Sequence, residues 1–227
     1  MNIGIIVAMD KELELLLPQL ERMSDITVDN ALFYCGQFGD HELVVHQCGI
    51  GKVNAAMGTL TMIHNFEPDL VINTGVAGGN DRDIAIMDIV AAERVAYHDV
   101  WCGPETERGA VQGLPRFYYG DEDTLACLPE LPELKRGLIC SGDRFIDTIE
   151  DARAIKKMYP DVLAVDMESG AIAQVCYKLN TPFLSLRVIS DSPGVGSTSN
   201  TVQYNDFWSD APQHTFDVMR NLLQNLE

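Results

Sequence analysis

An apolar run that changes abruptly into a helical pattern is the feature that most restricts how this chain can fold. Residues 162–165 are typical of a buried strand, Asp166, Met167 and Glu168 follow, and the apolar residues after them recur at helical spacing. Such a junction places polar side chains at the carboxyl edge of a sheet, where open α/β folds bind their ligands. Glu168 is expected in the first turn of the helix, where the helix dipole favours a carboxylate. Taken alone, it is more simply explained as a surface charge.

The rest of the chain repeats this alternation of strands and helices. Apolar runs predict buried strands, and segments with apolar residues at helical spacing predict helices between them. The predicted strands are 2–8, 31–37, 41–48, 69–75, 85–97, 136–140, 162–165 and 183–189, and the predicted helices are 10–23, 52–65, 122–128, 148–158 and 205–226, besides the one that follows Glu168. The sequence therefore predicts one α/β domain spanning residues 1–227, with a central mixed, largely parallel sheet flanked by helices on both faces.

The charge of the chain excludes several classes of partner. Sixteen Lys and Arg residues against thirty-four Asp and Glu give a formal net charge of −18, whereas nucleic-acid binding and docking on an anionic membrane both need a basic face. The amino terminus lacks the basic start of a secretory signal, and no stretch is long enough to span a bilayer. The six cysteines are scattered without C-x-x-C pairing, which favours buried, reduced thiols over a metal site or disulfides. We therefore expect a cytoplasmic protein that binds neither nucleic acid nor membrane.

Two glycine-rich turns follow predicted strands, at Gly49-x-Gly51 and Gly75-x-x-Gly78-Gly79. Glycine lets a ligand approach the backbone closely, although tight packing of strand against helix explains such turns equally well. The dinucleotide-binding fingerprint needs a third glycine where this chain has Asn54, and a phosphate loop needs Ser or Thr where it has Val53. A nicotinamide cofactor and ATP hydrolysis are therefore not expected.

Three acidic residues stand just past the ends of three predicted strands: Glu12, Glu168 and Asp191. If the sheet is mainly parallel, the three carboxylates lie at the same edge. Each has an ordinary explanation by itself, as a solvated helix residue or a cap. Together they suit the cleavage of a glycosidic bond, which needs an acid for the leaving group, a carboxylate that activates water, and contacts to the sugar hydroxyls.

Six segments, taken in chain order, resemble motifs of the 5′-methylthioadenosine/S-adenosylhomocysteine nucleosidases, a family within the purine nucleoside phosphorylase superfamily. They are Ile5–Glu12, Gly49–Val53, Ile72–Gly79, Ser141–Ile146, Val165–Glu168 and Arg187–Asp191. The resemblance covers nearly the whole chain and is weakest across 97–135 and 192–203. It implies hydrolysis of the N-glycosidic bond of 5′-methylthioadenosine and S-adenosylhomocysteine to adenine and the corresponding thioribose. No metal or organic cofactor is expected, because side chains supply the acid, the base and the sugar contacts.

The resemblance also implies roles for individual residues. Asp191, with Ser190 as its hydrogen-bond partner, would protonate N7 of the departing adenine, for which it must hold a proton near neutrality. Glu12 would orient and deprotonate the attacking water, with Arg187 close to that water. Glu168 would accept hydrogen bonds from the 2′ and 3′ hydroxyls of the ribose.

The remaining implied contacts are to the ribose, the purine and the 5′ substituent. Met167 would pack beneath the ribose, Phe145 would stack on the purine, and the main chain of Ile146 would read the purine edge. Without the resemblance, Met167 and Phe145 would be interpreted as core residues. The rest of the pocket would be lined by Ala8, Ile50, Val76 and, near the 5′ substituent, Tyr204.

Two departures from the family pattern affect what the resemblance implies. Val76 stands where well-known members carry Ser, which removes one hydroxyl near the water or the ribose. Residues 98–121 do not match closely, although in the family this region shapes the site for the 5′ group together with the neighbouring subunit of a homodimer. A homodimer is therefore expected, and the preferred 5′ group stays open.

Three alternatives stay open at this point. The chain could hydrolyse another 5′-substituted adenine nucleoside, such as aminodeoxyfutalosine or 5′-deoxyadenosine. It could be a phosphate-dependent phosphorylase, but Asn73 replaces an Arg of the phosphorylases, and Glu12 would repel a phosphate dianion. It could also bind a nucleoside without turning it over, although all three carboxylates are present.

Overall fold

Strands and helices alternate along most of the chain, as a computed structural model shows for residues 1–193, 199–210 and 216–226. The strands are β1 (Asn2–Val7), β2 (Glu21–Val28), β3 (Ala31–Phe38), β4 (His41–Gln47), β5 (Leu70–Gly79), β6 (Ile89–Tyr97), β7 (Tyr118–Tyr119), β8 (Leu134–Ser141), β9 (Val162–Asp166) and β10 (Phe183–Asp191). The helices are α1 (Asp10–Leu16), α2 (Lys52–Phe66), α3 (Glu122–Ala126), α4 (Ile149–Met158), α5 (Ser169–Leu179), α6 (Asn200–Asp210) and α7 (Asp217–Asn225).

These strands form one mixed sheet. Strands β4, β1, β5 and β10 run parallel to one another, and so do β6, β8 and β9. The two groups meet in antiparallel pairs, β10 with β6 and β9 with the end of β5. Strands β5, β10, β6, β8 and β9 therefore close into a ring, from which β1, β4, β3 and β2 extend as an open sheet. The predicted α/β fold with a mixed sheet is confirmed.

Helices cover both faces of the sheet, as the sequence predicts. Successive side chains of a strand point to opposite faces, so Ile5 packs into one buried cluster and Ile6 into another. Helices α1, α6 and α7 cover the cluster that contains Ile5, whereas α2 and α5 cover the one that contains Ile6. Helix α4 packs against β8 and β9 through Ile155. No helix within the described ranges is long and apolar enough to cross a bilayer.

The first helix is shorter than predicted. The leucine pattern predicts a helix to Met23, but α1 ends at Leu16 and a 3-10 turn that contains Pro18 follows it. Proline lacks the N–H that a continuing helix needs. Residues 21–28 form β2 instead, which turns into β3 through Asp29 and Asn30, both at positive φ. Asp and Asn both tolerate positive φ, so the Asp-Asn pair indicates a hairpin turn. The leucine pattern before it favoured a longer helix instead.

The predicted last helix, 205–226, is two helices in the described part of the chain. Helix α6 already begins at Asn200 and ends at Asp210, and α7 spans Asp217–Asn225. Residues 211–215 of the prediction lie outside the described residues. The sequence carries a helix-breaking signal there, since Pro212 interrupts the pattern.

Candidate active site

One cavity of about 260 Å³ collects the residues that the sequence singles out. It lies where β1, β5, β9 and β10 end, and α6 and the loop after β8 complete its wall. Its lining includes all of the residues expected at the site: Ala8, Glu12, Ile50, Val76, Phe145, Ile146, Met167, Glu168, Arg187, Ser190, Asp191 and Tyr204. It also includes residues that sequence reasoning did not assign: Met9, Ala77, Gly78, Arg144, Val165, Asp166 and Thr201.

The three acids meet in this cavity by a route that differs from the expected one. Strands β1 and β10 run parallel to β5, so Glu12, which follows β1, and Asp191, the last residue of β10, lie at the same edge. Strand β9, which precedes Glu168, runs antiparallel to β5, however, and pairs Val165 with Gly78. This pairing is possible because β5 continues past its contact with β1 and meets the carboxyl end of β9. The closed ring, rather than a common parallel edge, brings Glu168 to the site.

Glu12 is fully buried and held by three main-chain donors. Its Oε2 accepts hydrogen bonds from the N–H groups of Ala8 at 2.8 Å and Met9 at 3.0 Å, and its Oε1 accepts one from Val76 at 3.0 Å. Gly75 lies so close that a Cβ on it would stand 2.2 Å from Oε1, and its φ of +142° also favours glycine. Burial raises the pKa of Glu12, although the positive charge of Arg187 and the three N–H donors act in the opposite direction. A carboxylate with a raised pKa is suited to take a proton from water.

Glu168 and Arg187 lie in a buried charge cluster. Arg187 Nη2 is 2.7 Å from Asp166 Oδ2 and 3.2 Å from Glu168 Oε2, and it donates to Asn73 Oδ1 at 2.8 Å. Glu168 Oε1 accepts a hydrogen bond from the main-chain N–H of Gly51 at 2.9 Å. The interpretation of Glu168 as a surface charge is therefore wrong, and the first glycine turn, Gly49-x-Gly51, supplies a donor to the site.

The cluster holds more carboxylates than cations, and this imbalance shifts the pKa values of its groups. Burial raises the pKa of Glu168 to about 7, an effect that Arg187 opposes and that Asp166 and Glu12 increase. Burial lowers the pKa of Arg187, but the same three carboxylates outweigh it and raise the pKa, so the guanidinium stays charged. Hydroxyl groups of a ligand that donate to Glu168 would favour its ionised form.

Asp166 anchors this cluster, a role that neither its sequence position nor the family resemblance predicted. Its carboxylate accepts hydrogen bonds from the hydroxyls of Ser141 and Ser169 and from the main-chain N–H of Ser169 at 3.2 Å, besides its ion pair with Arg187. The signal that could have identified it is its place inside the segment Val165–Glu168.

Asp191 is 2% exposed and held from both sides. Its Oδ1 accepts a hydrogen bond from Ser190 Oγ at 2.7 Å, and its Oδ2 accepts one from Asn200 Nδ2 at 2.8 Å. Burial raises the pKa of Asp191, whereas the two donors lower it. A carboxyl group that keeps its proton to higher pH can protonate a leaving group. Asn200 is a further residue that sequence reasoning missed.

The other side of the cavity is apolar and open. Phe145 is 47% exposed and Ile50 is 53% exposed, so the interpretation of Phe145 as a core residue is wrong. Phe145 lies edge-on to Tyr204, with ring centroids 6.2 Å apart, and the Tyr204 hydroxyl donates to Met9 Sδ at 3.2 Å. An exposed aromatic ring beside a row of carboxylates suits a ligand with one flat apolar end and one hydroxylated end.

Val76 contributes to the site through its main chain. Besides its N–H donor to Glu12, its carbonyl oxygen accepts from Arg187 Nη1 at 3.4 Å. Both contacts survive the exchange of Ser for Val at this position, because neither involves the side chain.

The donor set of the cavity fits a neutral organic ligand rather than a metal ion. Each of its carboxylates already accepts hydrogen bonds from N–H or O–H groups. In the ranges that the structure describes, no three His, Cys, Asp or Glu side chains are placed to hold a metal ion.

Comparison with known proteins gives the same family by sequence and by structure. The family model of the phosphorylase superfamily matches residues 2–224. The 5′-methylthioadenosine/S-adenosylhomocysteine nucleosidase of Oceanobacillus iheyensis is 36% identical over 100% of both chains, and that of Staphylococcus aureus is 40% identical over 83% of this chain and 86% of its own. The S-adenosylhomocysteine nucleosidase of Streptococcus pyogenes, solved with 5-methylthiotubericidin, is 34% identical and matches with a TM-score of 0.93 over 100% of this chain and 98% of its own. The Streptococcus pneumoniae nucleosidase, solved with the transition-state inhibitor MT-ImmA, is 33% identical and matches with a TM-score of 0.92 over 100% of both chains. This chain therefore belongs to the phosphorylase superfamily and, within it, to the 5′-methylthioadenosine/S-adenosylhomocysteine nucleosidases.

Proposed function

We propose that this protein hydrolyses the N-glycosidic bond of 5′-methylthioadenosine and S-adenosylhomocysteine, and releases adenine and the corresponding thioribose. The observation that carries the proposal is the meeting of three buried carboxylates, Glu12, Glu168 and Asp191, in one cavity with an open aromatic side. The relatives named for these two substrates support it.

Each carboxylate has one part in the reaction. Asp191 gives a proton to N7 of the adenine as the bond between N9 and C1′ breaks. Glu12 takes a proton from a water molecule, whose oxygen forms the new bond to C1′. Glu168 accepts hydrogen bonds from the 2′ and 3′ hydroxyls while the ribose gains positive charge, and Arg187 holds Glu168 for this contact. One proton leaves Asp191 and one reaches Glu12, so the charges balance.

The other lining residues place the nucleoside. Phe145 stacks on the purine, the main chain of Ile146 reads its edge, and Met167 packs beneath the ribose. Ile50 and Tyr204, which also line the cavity, contact the 5′ substituent. Ala8 and Val76 complete the lining, and Ser190 assists Asp191 through its hydrogen bond.

The charges in the cavity favour water over phosphate as the nucleophile. Asn73 contributes a neutral amide, and its oxygen accepts from Arg187 rather than leaving that cation free for an anion. Arg144, the other cation of the lining, is paired with Asp151. A phosphate dianion at the nucleophile position would meet Glu12 and be repelled.

Adenine release tests this proposal. Purified protein is expected to release adenine from 5′-methylthioadenosine in phosphate-free buffer, at a rate that added phosphate leaves unchanged. Release that depends on phosphate would mean that the reaction is phosphorolysis. Turnover restricted to another 5′-modified adenosine, such as aminodeoxyfutalosine or 5′-deoxyadenosine, would keep the reaction and change the substrate, which kcat/KM values for the set would show.

We also propose that the enzyme is a homodimer, since an exposed apolar stripe runs along α2. Val53, Met57 and Leu60 are 69%, 64% and 42% exposed, and their spacing of four and three residues puts them on one face of the helix. The opposite face packs into the protein through Met62. Ile50, which lines the cavity, stands two residues before the start of α2. A partner subunit seated on the stripe would therefore lie next to the 5′ end of the cavity.

The Met57→Asp substitution tests the dimer. A charge placed in an apolar interface has to be desolvated, so dimer dissociation is expected to become at least about 100-fold more favourable. Sedimentation equilibrium measures this, and kcat/KM for 5′-methylthioadenosine is expected to fall with the dimer fraction. Met23→Asp, at a 51% exposed position on β2, is the matched control. A wild-type protein that sediments as a monomer would refute the dimer.

We further propose that residues 1–227 act as one domain in the cytoplasm. Strands from both halves of the chain share the sheet, and α6 and α7 pack into the same buried cluster as β1. The six cysteines are free, which fits a reducing compartment, although only Cys140 and Cys176 are fully buried and Cys102 is exposed. The expectation that all six are buried is therefore wrong.

A further inference from the structure

The side-chain amide of Asn200 joins two parts of the site. Its Nδ2 donates to Asp191 Oδ2 at 2.8 Å and to the main-chain oxygen of Ile146 at 3.3 Å. Asn200 is 4% exposed and is the first residue of α6. It falls in the region 192–203, where the family resemblance is weakest, so the resemblance gives it no role.

The two hydrogen bonds to Asp191 differ in kind. An amide NH₂ can only donate, so Asn200 fixes Oδ2 as an acceptor whether or not the carboxyl group carries a proton. The Ser190 hydroxyl can donate to the carboxylate and accept from the carboxylic acid. The proton of the carboxylic acid is therefore favoured on Oδ1. The plane of the carboxyl group is held by the Asn200 amide, which can donate a hydrogen bond but cannot accept one through its nitrogen.

We propose that Asn200 is a positioning residue for the catalytic acid, which orients the Asp191 carboxyl group and ties it to the main chain of Ile146 beside the purine. The inference rests on the function proposed above, in which Asp191 protonates the purine and Ile146 reads its edge. Asn200 thereby couples recognition of the base to the direction in which the proton is delivered. It acts through Asp191 rather than on the substrate itself.

The donor also affects when Asp191 holds its proton. A hydrogen bond to the ionised form lowers the pKa of a carboxyl group, so Asn200 opposes the rise that burial causes. Loss of the donor is therefore expected to raise the pKa of Asp191. The other ionisable groups that line the cavity are Glu12, Arg144, Asp166, Glu168, Arg187 and Tyr204, and a substitution at Asn200 leaves all of them in place.

Two substitutions test the proposal. Asn200→Leu keeps the volume and removes the donor, and Asn200→Asp keeps the shape and adds a like charge. The alkaline limb of the kcat/KM profile is expected to move up by about one pH unit in the first and further in the second, because kcat/KM falls where Asp191 loses its proton. The plateau kcat is expected to fall about tenfold through misorientation of the acid. Val202→Ala, at an exposed position on the same helix, is expected to change neither.

Lower activity with an unmoved alkaline limb in both Asn200 variants would make Asn200 a packing residue and overturn the proposal. The pKa of Asp191 can also be followed without turnover, by NMR titration of carboxyl-labelled aspartate with Asp191→Asn as the assignment control. An upward shift in Asn200→Leu supports the proposal and an unchanged titration refutes it. Wild-type protein that releases no adenine would refute the proposed function instead, and the titration would still decide the role of Asn200.

Discussion

Asp191→Asn protein is expected to bind 5′-methylthioadenosine nearly as tightly as the wild-type protein and to release adenine about 10²–10⁴-fold more slowly. The N–H protons of an amide are too weakly acidic to be transferred to N7, so the adenine must leave as a poorer leaving group. The fold should tolerate the change. The new amide can accept from Asn200 through its oxygen and donate to the Ser190 hydroxyl through its nitrogen, so both existing contacts keep a partner.

Thermal stability distinguishes a loss of catalysis in Asp191→Asn from a loss of folded protein. The pKa of Asp191 is raised in the folded protein, so ionisation costs stability as the pH rises through the raised value. The asparagine variant avoids this cost and is expected to melt at or above the wild-type temperature at about pH 8. Single-turnover adenine release, with substrate affinity measured separately, checks the activity, and Asp206→Asn on the exposed side of α6 is the control. Turnover within a few fold of wild type would exclude Asp191 as the acid.

The three acidic residues of the site could be predicted because they lie in short motifs at the ends of strands. Glu12, Glu168 and Asp191 each follow an apolar run, and the structure places all three in one cavity. They do not all meet at a common parallel edge, however. Strand direction is a non-local property, and nothing in the run before Glu168 shows that β9 pairs antiparallel with the end of β5.

The parts of the site that sequence reasoning missed are those whose role depends on tertiary contacts. Asp166 and Glu168 are equally acidic in the sequence and both pair with Arg187, but Asp166 makes the closer contact, at 2.7 Å, and also accepts hydrogen bonds from two serine hydroxyls. Asn200 lies nine residues after Asp191 and reaches it only because α6 folds back over the cavity. Burial and partner identity decide such roles, and neither can be read from local spacing.

The first helix was predicted too long because the spacing of the leucines was given more weight than the residues that favour turns. The leucines of residues 13–20 continue a helical pattern past Pro18, whereas the backbone follows the proline and then the Asp29-Asn30 turn. Residues that restrict φ are stronger local constraints than apolar spacing, because they remove conformations outright.

Glu12→Gln is expected to lower kcat by about 10²–10⁴-fold, because an amide cannot take the proton of the attacking water. The acid limb of the kcat profile, which reports the substrate complex, should also disappear. Wild-type activity needs Glu12 ionised, and burial raises its pKa, so kcat is expected to fall as the pH drops through that raised value. The variant lacks this group, and the hydroxyls of the bound substrate favour the ionised form of Glu168.

Unlike the Asp191 substitution, this one should also weaken the fold. Three N–H groups, of Ala8, Met9 and Val76, donate to Glu12, and a glutamine turns one of its two acceptors into a donor that faces one of them. A buried donor left unsatisfied costs about 1–3 kcal/mol, which urea unfolding at neutral pH would measure. Glu14→Gln, at an exposed position of the same helix, should change neither stability nor rate. If Glu12→Gln loses stability but keeps its specific activity and its acid limb, Glu12 organises the loop before α1 and another group activates the water.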